Sequence, residues 1–396
     1  MNQQKTSIPR GVWALGFVSL FMDISSEMIH GLLPVFLVTV LGASALMVGI
    51  IEGIGESLAL MLRLFSGVLS DYLKRRKPLL ITGYLLGTLS KPLFALAGNA
   101  GLVLTARSLD RIGKGIRGAP RDALIADLTP PTIRGSAYGL RQSLDSLGAV
   151  VGPLFAILVM WLSNDNFRIV FWLAAIPGLI AVAIIIWFVK EPPASHAVTK
   201  VGFKIKDVGT LSRAYWLVLA VGLVFTLARF SEAFMLLRAE QLGMAAHLVP
   251  IILIIMSFTY ALGAYPAGVL SDKWGRAGLL LVGLSLLFVT HLVLAFSASL
   301  LHIAAGAALW GLHLALTQGL FAALVADTCA PNLRGSAFGL FSFATGLAIL
   351  MASVIAGLLW DQFGSHVAFL AGSGLALAAL AGSAILLKRI KRPLGS

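Results

Sequence analysis

A chain of 396 residues that is 58% apolar and 12% charged, with a mean hydropathy of +0.93, carries about half the charge of a soluble domain, which runs near 25%. That composition excludes a soluble enzyme, a nucleic-acid-binding domain and a disordered chain, and it makes the formal charge of +13 the mark of basic cytoplasmic loops. Cys329 is the sole cysteine, so the chain has no internal disulfide and no thiolate metal cluster.

The apolar runs predict an all-α membrane protein with twelve transmembrane helices, each covering the roughly 20 residues that cross a bilayer. They lie near 11–41, 44–70, 78–97, 101–126, 135–163, 168–189, 214–237, 247–270, 277–297, 300–325, 336–360 and 366–388. The first run follows Lys5 and Arg10 as a signal peptide would, but it is too long for one and contains Asp23, Glu27 and His30. It therefore predicts a retained helix. Basic residues fall on alternate connections: Lys74, Arg75, Arg76 and Lys77 on the second, Arg134 on the fourth, Lys273 and Arg276 on the eighth, Arg334 on the tenth. The sixth connection holds Lys190, Lys200, Lys204, Lys206 and Arg213, while the intervening loops hold only Arg168 and Arg238. This bias predicts both termini on the cytoplasmic side, in a bacterial cytoplasmic membrane. The polar stretch 191–213, with Pro192 and Pro193 near its start, reads as a linker between a bundle over 1–190 and a second over 214–396.

An internal repeat supports that division. Residues 124–140 (LIADLTPPTIRGSAYGL) and 324–340 (LVADTCAPNLRGSAFGL) agree at 10 of 17 positions. Gly67, Val68, Leu69, Ser70 and Asp71 recur as Gly268, Val269, Leu270, Ser271 and Asp272. The two halves are thus expected to be six-helix bundles related by a pseudo-two-fold axis along the membrane normal.

Gly268-xxx-Asp272-Lys273-Trp274-Gly275-Arg276 closes the eighth helix, with a less complete copy at Gly67 and Asp71 in which Tyr72 and Lys74 depart from the pattern. It resembles the loop signature of the major facilitator superfamily. Asp127 with Arg134, and Asp327 with Arg334, resemble the family's acidic-x6-Arg pairs, which form cytoplasmic salt bridges. Arg107, Asp110 and Gly113 look like its helix-4 arginine motif, with Arg111 where glycine is common. Gly148-xxx-Gly152-Pro153 is similar to the signature of the superfamily's proton antiporters, its final glycine pair replaced by Ala156-Ile157. The resemblance implies gating roles for Asp71, Asp127, Arg134, Asp272, Arg276, Asp327, Arg334, Gly148, Gly152 and Pro153.

Ionisable residues inside the helices carry the remaining information. Asp23, Glu27 and His30 share one face of the first helix at i, i+4 and i+7, and Glu52, Glu56 and Arg63 share one face of the second at i, i+4 and i+11. Each such charge costs about 2.5–3.5 kcal/mol at the bilayer centre, so these groups must face a cavity, find partners or take protons. The fourth helix supplies cations at three- and four-residue steps, Arg107, Arg111, Lys114, Arg117 and Arg121, with Asp110 among them and Arg141 and Asp145 from the fifth helix. The second half keeps Arg229, Glu232, Tyr260, His313 and Gln318 along a more apolar wall, with His291 and His302 read as packing residues.

Together these observations predict a secondary transporter working by alternating access, in which Asp23, Glu27, Glu52 and Glu56 couple protons. His30, Arg107, Asp110, Arg111, Lys114, Arg141, Asp145, Arg229, Glu232, Tyr260, His313 and Gln318 would line the solute site. The expected solute is small, organic and anionic or amphipathic, a polycarboxylate siderophore and a drug being examples, exported against protons. Import with protons, export of a divalent metal held by Asp23, Glu27 and His30, and a membrane-embedded lipid-handling enzyme are the alternatives. A monomer without cofactor is expected, its partners being solute, protons and lipid.

Overall fold

The computed structural model describes residues 8–73, 75–191, 209–330 and 333–390, without the side chains of residues 71, 271–274, 276–277 and 386–390. The side chains of the expected gating residues Asp71, Asp272 and Arg276 are among those not described, and most of the expected linker lies outside the described residues.

Every described element is helical. In chain order they are α1 (Arg10–His30), α2 (Ala45–Leu73), α3 (Lys77–Leu96), α4 (Ala100–Leu128) and α5 (Arg134–Leu162). A short piece, Leu33–Val35, and a π-helical turn, Phe36–Val40, extend α1. Helix α6 runs in two pieces, Phe167–Leu173 and Ala175–Phe188, as does α7, Arg213–Ala228 and Ala233–Gln241. The 45-residue stretch Ile251–Ala295 is broken at Gly275 and so supplies α8 and α9. Two pieces of α10 (Leu300–Thr317 and Leu320–Thr328), α11 (Arg334–Phe363) and α12 (Ser365–Ile390) complete the chain.

Helix ends follow local chemistry. Asn99 caps α4 by accepting from the Leu102 amide at 2.9 Å, and Ser212 caps α7 by accepting from the Tyr215 amide at 3.1 Å; each satisfies one of a helix's orphan donors. Gly275 separates α8 from α9 with φ of 72° and ψ of 160°, a conformation open essentially to glycine alone. A Cβ there would meet open space, so Gly275→Ala tests the backbone by itself. It should cost about 1–3 kcal/mol, seen as a lower melting midpoint of the purified protein. Gly268→Ala, inside α8 and also facing open space, should not lower it.

Eleven stretches of described residues are long and apolar enough to cross a membrane. Helix α4 is the twelfth; its length of 29 residues suffices, but Arg107, Asp110, Arg111, Lys114, Arg117, Arg121 and Asp122 make it too polar to stand among the others. A spanning helix with that many ions is an expense that some other feature of the molecule must explain.

The chain forms two compact units, residues 1–33 with 58–199, and residues 34–57 with 200–396. The first half of α2 therefore groups with the second unit. In the first unit Val12, Leu15, Val18 and Met22 of α1 form a core with Leu80 and Tyr84 of α3, Leu124 and Ile125 of α4, Ala137 of α5 and Ala181 and Ile185 of α6. In the second, Phe230, Trp310 and Phe369 surround His291, whose Nε2 lies 2.8 Å from the Ala228 carbonyl oxygen. There too the Asp361 carboxylate accepts from the Ala45 and Leu46 amides at 2.9 Å each, meeting the positive end of α2 with a negative charge.

Candidate functional site

The buried charges of the first unit are assembled by two glycine seams. Along the seam of α3 and α4, a Cβ on Gly83 would lie 2.7 Å from the Gly113 carbonyl oxygen and 2.8 Å from Arg117 Cβ, so the two helices meet backbone to backbone. That approach seats Lys91, 1% exposed, with Nζ 2.8 Å from Asp110 Oδ1 and 3.2 Å from Ser26 Oγ of α1. Arg111 Nε lies 3.7 Å from the other oxygen of Asp110, and the Arg117 guanidinium stacks 4.7 Å over the Tyr84 ring. Arg107, Asp110, Arg111 and Arg117 are all buried.

Along the second seam α5 crosses α1. A Cβ on Gly148 would lie 2.9 Å from Asp23 Cβ, and one on Gly152 would lie 2.8 Å from Glu27 Cβ and 2.9 Å from the Ile24 carbonyl oxygen. These two glycines, with the buried Pro153 beside them, thus sit at the level of the first-helix carboxylates. Asp23 lies in the field of Asp145 and of Lys114, Arg121 and Arg117. Glu27 Oε2 is 3.5 Å from His30 Nδ1, with Lys114 and Arg111 also acting on it.

A third cluster lies at the Asp122 end of α4. The Asp122 carboxylate is 3.0 Å from Arg63 Nη2, 3.3 Å from Arg121 Nε and 3.6 Å from Arg141 Nη1, while Tyr138 donates to its backbone carbonyl at 2.8 Å. Arg141 also meets Asp145 one turn along α5 at 3.1 Å, and Arg121 donates to Ser19 Oγ at 2.9 Å. Asp127 pairs with Arg76 at 2.9 Å, whereas Arg134, the partner its motif suggests, reaches the Thr129 carbonyl oxygen at 3.4 Å. Pro130 and Pro131 separate the two; Arg134, the first residue of α5, turns back to Thr129 just past α4, while Asp127 meets Arg76 just before α3.

Among the expected residues, then, Asp23, Glu27, His30, Arg107, Asp110, Arg111, Lys114, Arg141 and Asp145 all belong to the first unit. Glu52, buried, and Glu56, half-buried, fall in the α2 segment that groups with the second unit. In that unit Arg229 stacks 5.7 Å over Phe225, and His313 is buried with Nδ1 2.7 Å from the Gly283 carbonyl oxygen. Glu232 and Tyr260 are half-buried and Gln318 is exposed. Asp327 and Arg334 occupy the end of α10 and the start of α11. Among the described residues no group of three or more His, Cys, Asp or Glu side chains is placed to hold a metal ion.

Lys91 and Asp122 are the functional candidates that the sequence reading passes over. Lys91 had a signal, being the one cation inside an apolar helix whose only other charge, Lys77, stands at its first residue.

The repeat provides an internal control on what these charges are for. The residues Asn99 and Ser299 stand 200 residues apart, each immediately before its helix, so α3–α4 and α9–α10 are in register at that offset. Lys91 then corresponds to His291, Asp110 to Trp310, Arg107 to Ala307, Arg111 to Gly311 and Arg117 to Thr317. The correspondence is physical as well as arithmetical: where Lys91 meets Asp110 in the first unit, His291 meets Trp310 edge to face at 5.5 Å in the second. The corresponding helices pack in both units, Gly83 against Gly113 and Arg117 in the first and Gly283 against Thr317 in the second, and at these five positions only the first carries Lys, Arg or Asp. A buried ion pair is often no more stable than well-packed neutral residues of similar volume; the repeat has made that replacement, so holding the helices together does not account for the charges.

The sequence profile of the Major Facilitator Superfamily matches residues 15–238 and 217–395. The chain is similar to an uncharacterized MFS-type transporter, MJ1317, of Methanocaldococcus jannaschii, 34% identical over 382 residues that cover 95% of this chain and 94% of that one. A shorter likeness, 32% over 165 residues, covers 42% of this chain and 40% of the multidrug resistance protein MdtH of Yersinia pestis (strain Pestoides F). Among solved structures, the nucleoside transporter NupG aligns with a TM-score of 0.79 at 11% identity, over 95% of this chain and 99% of that one, which speaks for the fold alone.

Proposed function

The chain belongs to the major facilitator superfamily of secondary transporters, and we propose that it carries a small organic solute bearing an anionic group, by alternating access and coupled to protons. The observation that supports this reading is the set of ions in the first unit at positions the repeat fills with neutral residues. Cations outnumber carboxylates among them, which suits an anionic group on the solute. Asp23 and Glu27, held against α5 by Gly148 and Gly152, are the proton-coupling groups; Arg107, Arg111 and Lys114 face the solute. The protein works as a single chain in the cytoplasmic membrane with both termini inside.

Export against protons is the direction favoured by the likeness to MdtH and by the Gly148-xxx-Gly152-Pro153 sequence. The abundance of carboxylate-held cations favours a second reading, import with protons. A solute anion that takes a cation from its carboxylate leaves that carboxylate ready to be protonated, so anion and proton then travel together. Liposomes carrying the purified protein, loaded in turn with organic anions and amphipathic drugs under an imposed pH gradient, separate the two by the sign of the proton movement.

Asp23→Asn and Glu27→Gln should each reduce gradient-driven accumulation to the level of protein-free liposomes, while solute exchange at equal pH continues. Accumulation at the wild-type rate in both variants would remove the coupling assignment.

A further inference from the structure

Resting on the transport reading, one residue can be given a more specific task. Lys91 sits in mid-helix, 1% exposed, and its ammonium has three donors, directed in part to Asp110 Oδ1 at 2.8 Å and Ser26 Oγ at 3.2 Å. Four cations, Lys91, Arg111, Arg107 and Arg117, act on the single Asp110 carboxylate. Tyr84, the remaining polar ring in this corner, lies under Arg117. Each of these five charged positions is neutral or a histidine in the repeat, with the seam intact. The arrangement is therefore a buried cluster of positive charge centred on Asp110, its Arg111 and Arg117 acting also on Glu27 and Asp23, in a place where the fold does not demand it.

We propose that Lys91 is a solute-binding residue masked by Asp110 in this structure, and that a carboxylate or phosphonate group of the solute replaces Asp110 on its Nζ. Ser26 Oγ supplies a neutral contact on the α1 side. Asp110 is the mobile partner in this exchange because Arg111, at 3.7 Å, retains it when Lys91 lets go. The solute it selects is small enough to reach between α1, α3 and α4 and carries a compact anionic group.

The test uses the full-length protein in detergent with citrate and phosphonoacetate as probes, binding being read from the shift of the melting midpoint with concentration. Asp110→Asn unmasks Lys91 and should bind the probes about 10- to 100-fold more tightly than the wild type, as expected for gaining a hydrogen bond to a charged group. Lys91→Gln/Asp110→Asn should lose that gain. The proposal is overturned if neither probe moves the midpoint of Asp110→Asn, or if both move it equally in the double variant.

Should Asp110→Asn fail to fold, Lys91→His/Asp110→Trp, which carries the pair of the repeat, takes its place. A wild-type midpoint with no probe binding supports the proposal; binding equal to wild type, or none in wild type either, overturns it. Solute-driven proton movement that persists undiminished in Lys91→Gln would overturn this assignment and leave the transport reading standing. Its absence in the wild type would overturn the transport reading itself.

Discussion

Asp110→Ala should be the most destabilising single change in the first unit, costing about 3–5 kcal/mol, because it leaves an uncompensated buried charge. The carboxylate is buried, 2.8 Å from Lys91 Nζ and 3.7 Å from Arg111 Nε, and its removal sets those cations against one another. Lys91→Met should cost less, since Asp110 keeps Arg111 beside it. Lys91→Met with Asp110→Leu should cost least, since both ions leave together and the remaining volume is apolar. A double-mutant cycle on melting midpoints should then show strong coupling between the two sites. If the three variants are additive, the pair is not the electrostatic unit described here.

Gly152→Val should be damaging by a different route. Its Cβ would come within 2.8 Å of Glu27 Cβ, 2.9 Å of the Ile24 carbonyl oxygen and 3.2 Å of Ile24 Cα. Two of those atoms are backbone and cannot turn aside, so α5 must move away from α1. Overpacking of this kind costs about 1–3 kcal/mol, and the shift would also displace Glu27, so proton-coupled transport should be lost even where the protein still folds. Gly135→Ala and Gly139→Ala on the same helix face open space and should neither lower stability nor change transport. If Gly152→Val transports like wild type, the seam does not set the position of Glu27.

The architecture was legible because its causes are local: apolar runs of bilayer length, basic connections on alternate sides and the duplicated stretch at 124–140 and 324–340. Asp23, Glu27, Arg107, Asp110 and Arg111 were legible for a related reason, since a charge inside a spanning run needs an explanation whatever surrounds it. Which charge meets which was not. Lys91 and Asp110 are joined by the approach of two helices through Gly83 and Gly113, a geometry that no spacing within one helix encodes. Asp127 likewise pairs with Arg76 across two helix ends and not with Arg134 of its own motif. The glycines Gly148 and Gly152 were visible as a motif, but their place against Asp23 and Glu27 depends on the crossing of α5 over α1. Asp122, a hub for Arg63, Arg121 and Arg141, hid at a helix end where a charge needs no special reason.

The claim beneath all of this is that the first-unit ions serve transport and not folding, and the repeat offers its own residues to test it. The variant Lys91→His, Arg107→Ala, Asp110→Trp, Arg111→Gly and Arg117→Thr gives five positions of the α3–α4 seam the residues they have in α9–α10. Reconstituted beside the wild type, it should insert and melt as a folded membrane protein yet move neither solute nor protons under a pH gradient. A variant that fails to fold, or one that folds and still transports, would contradict the account.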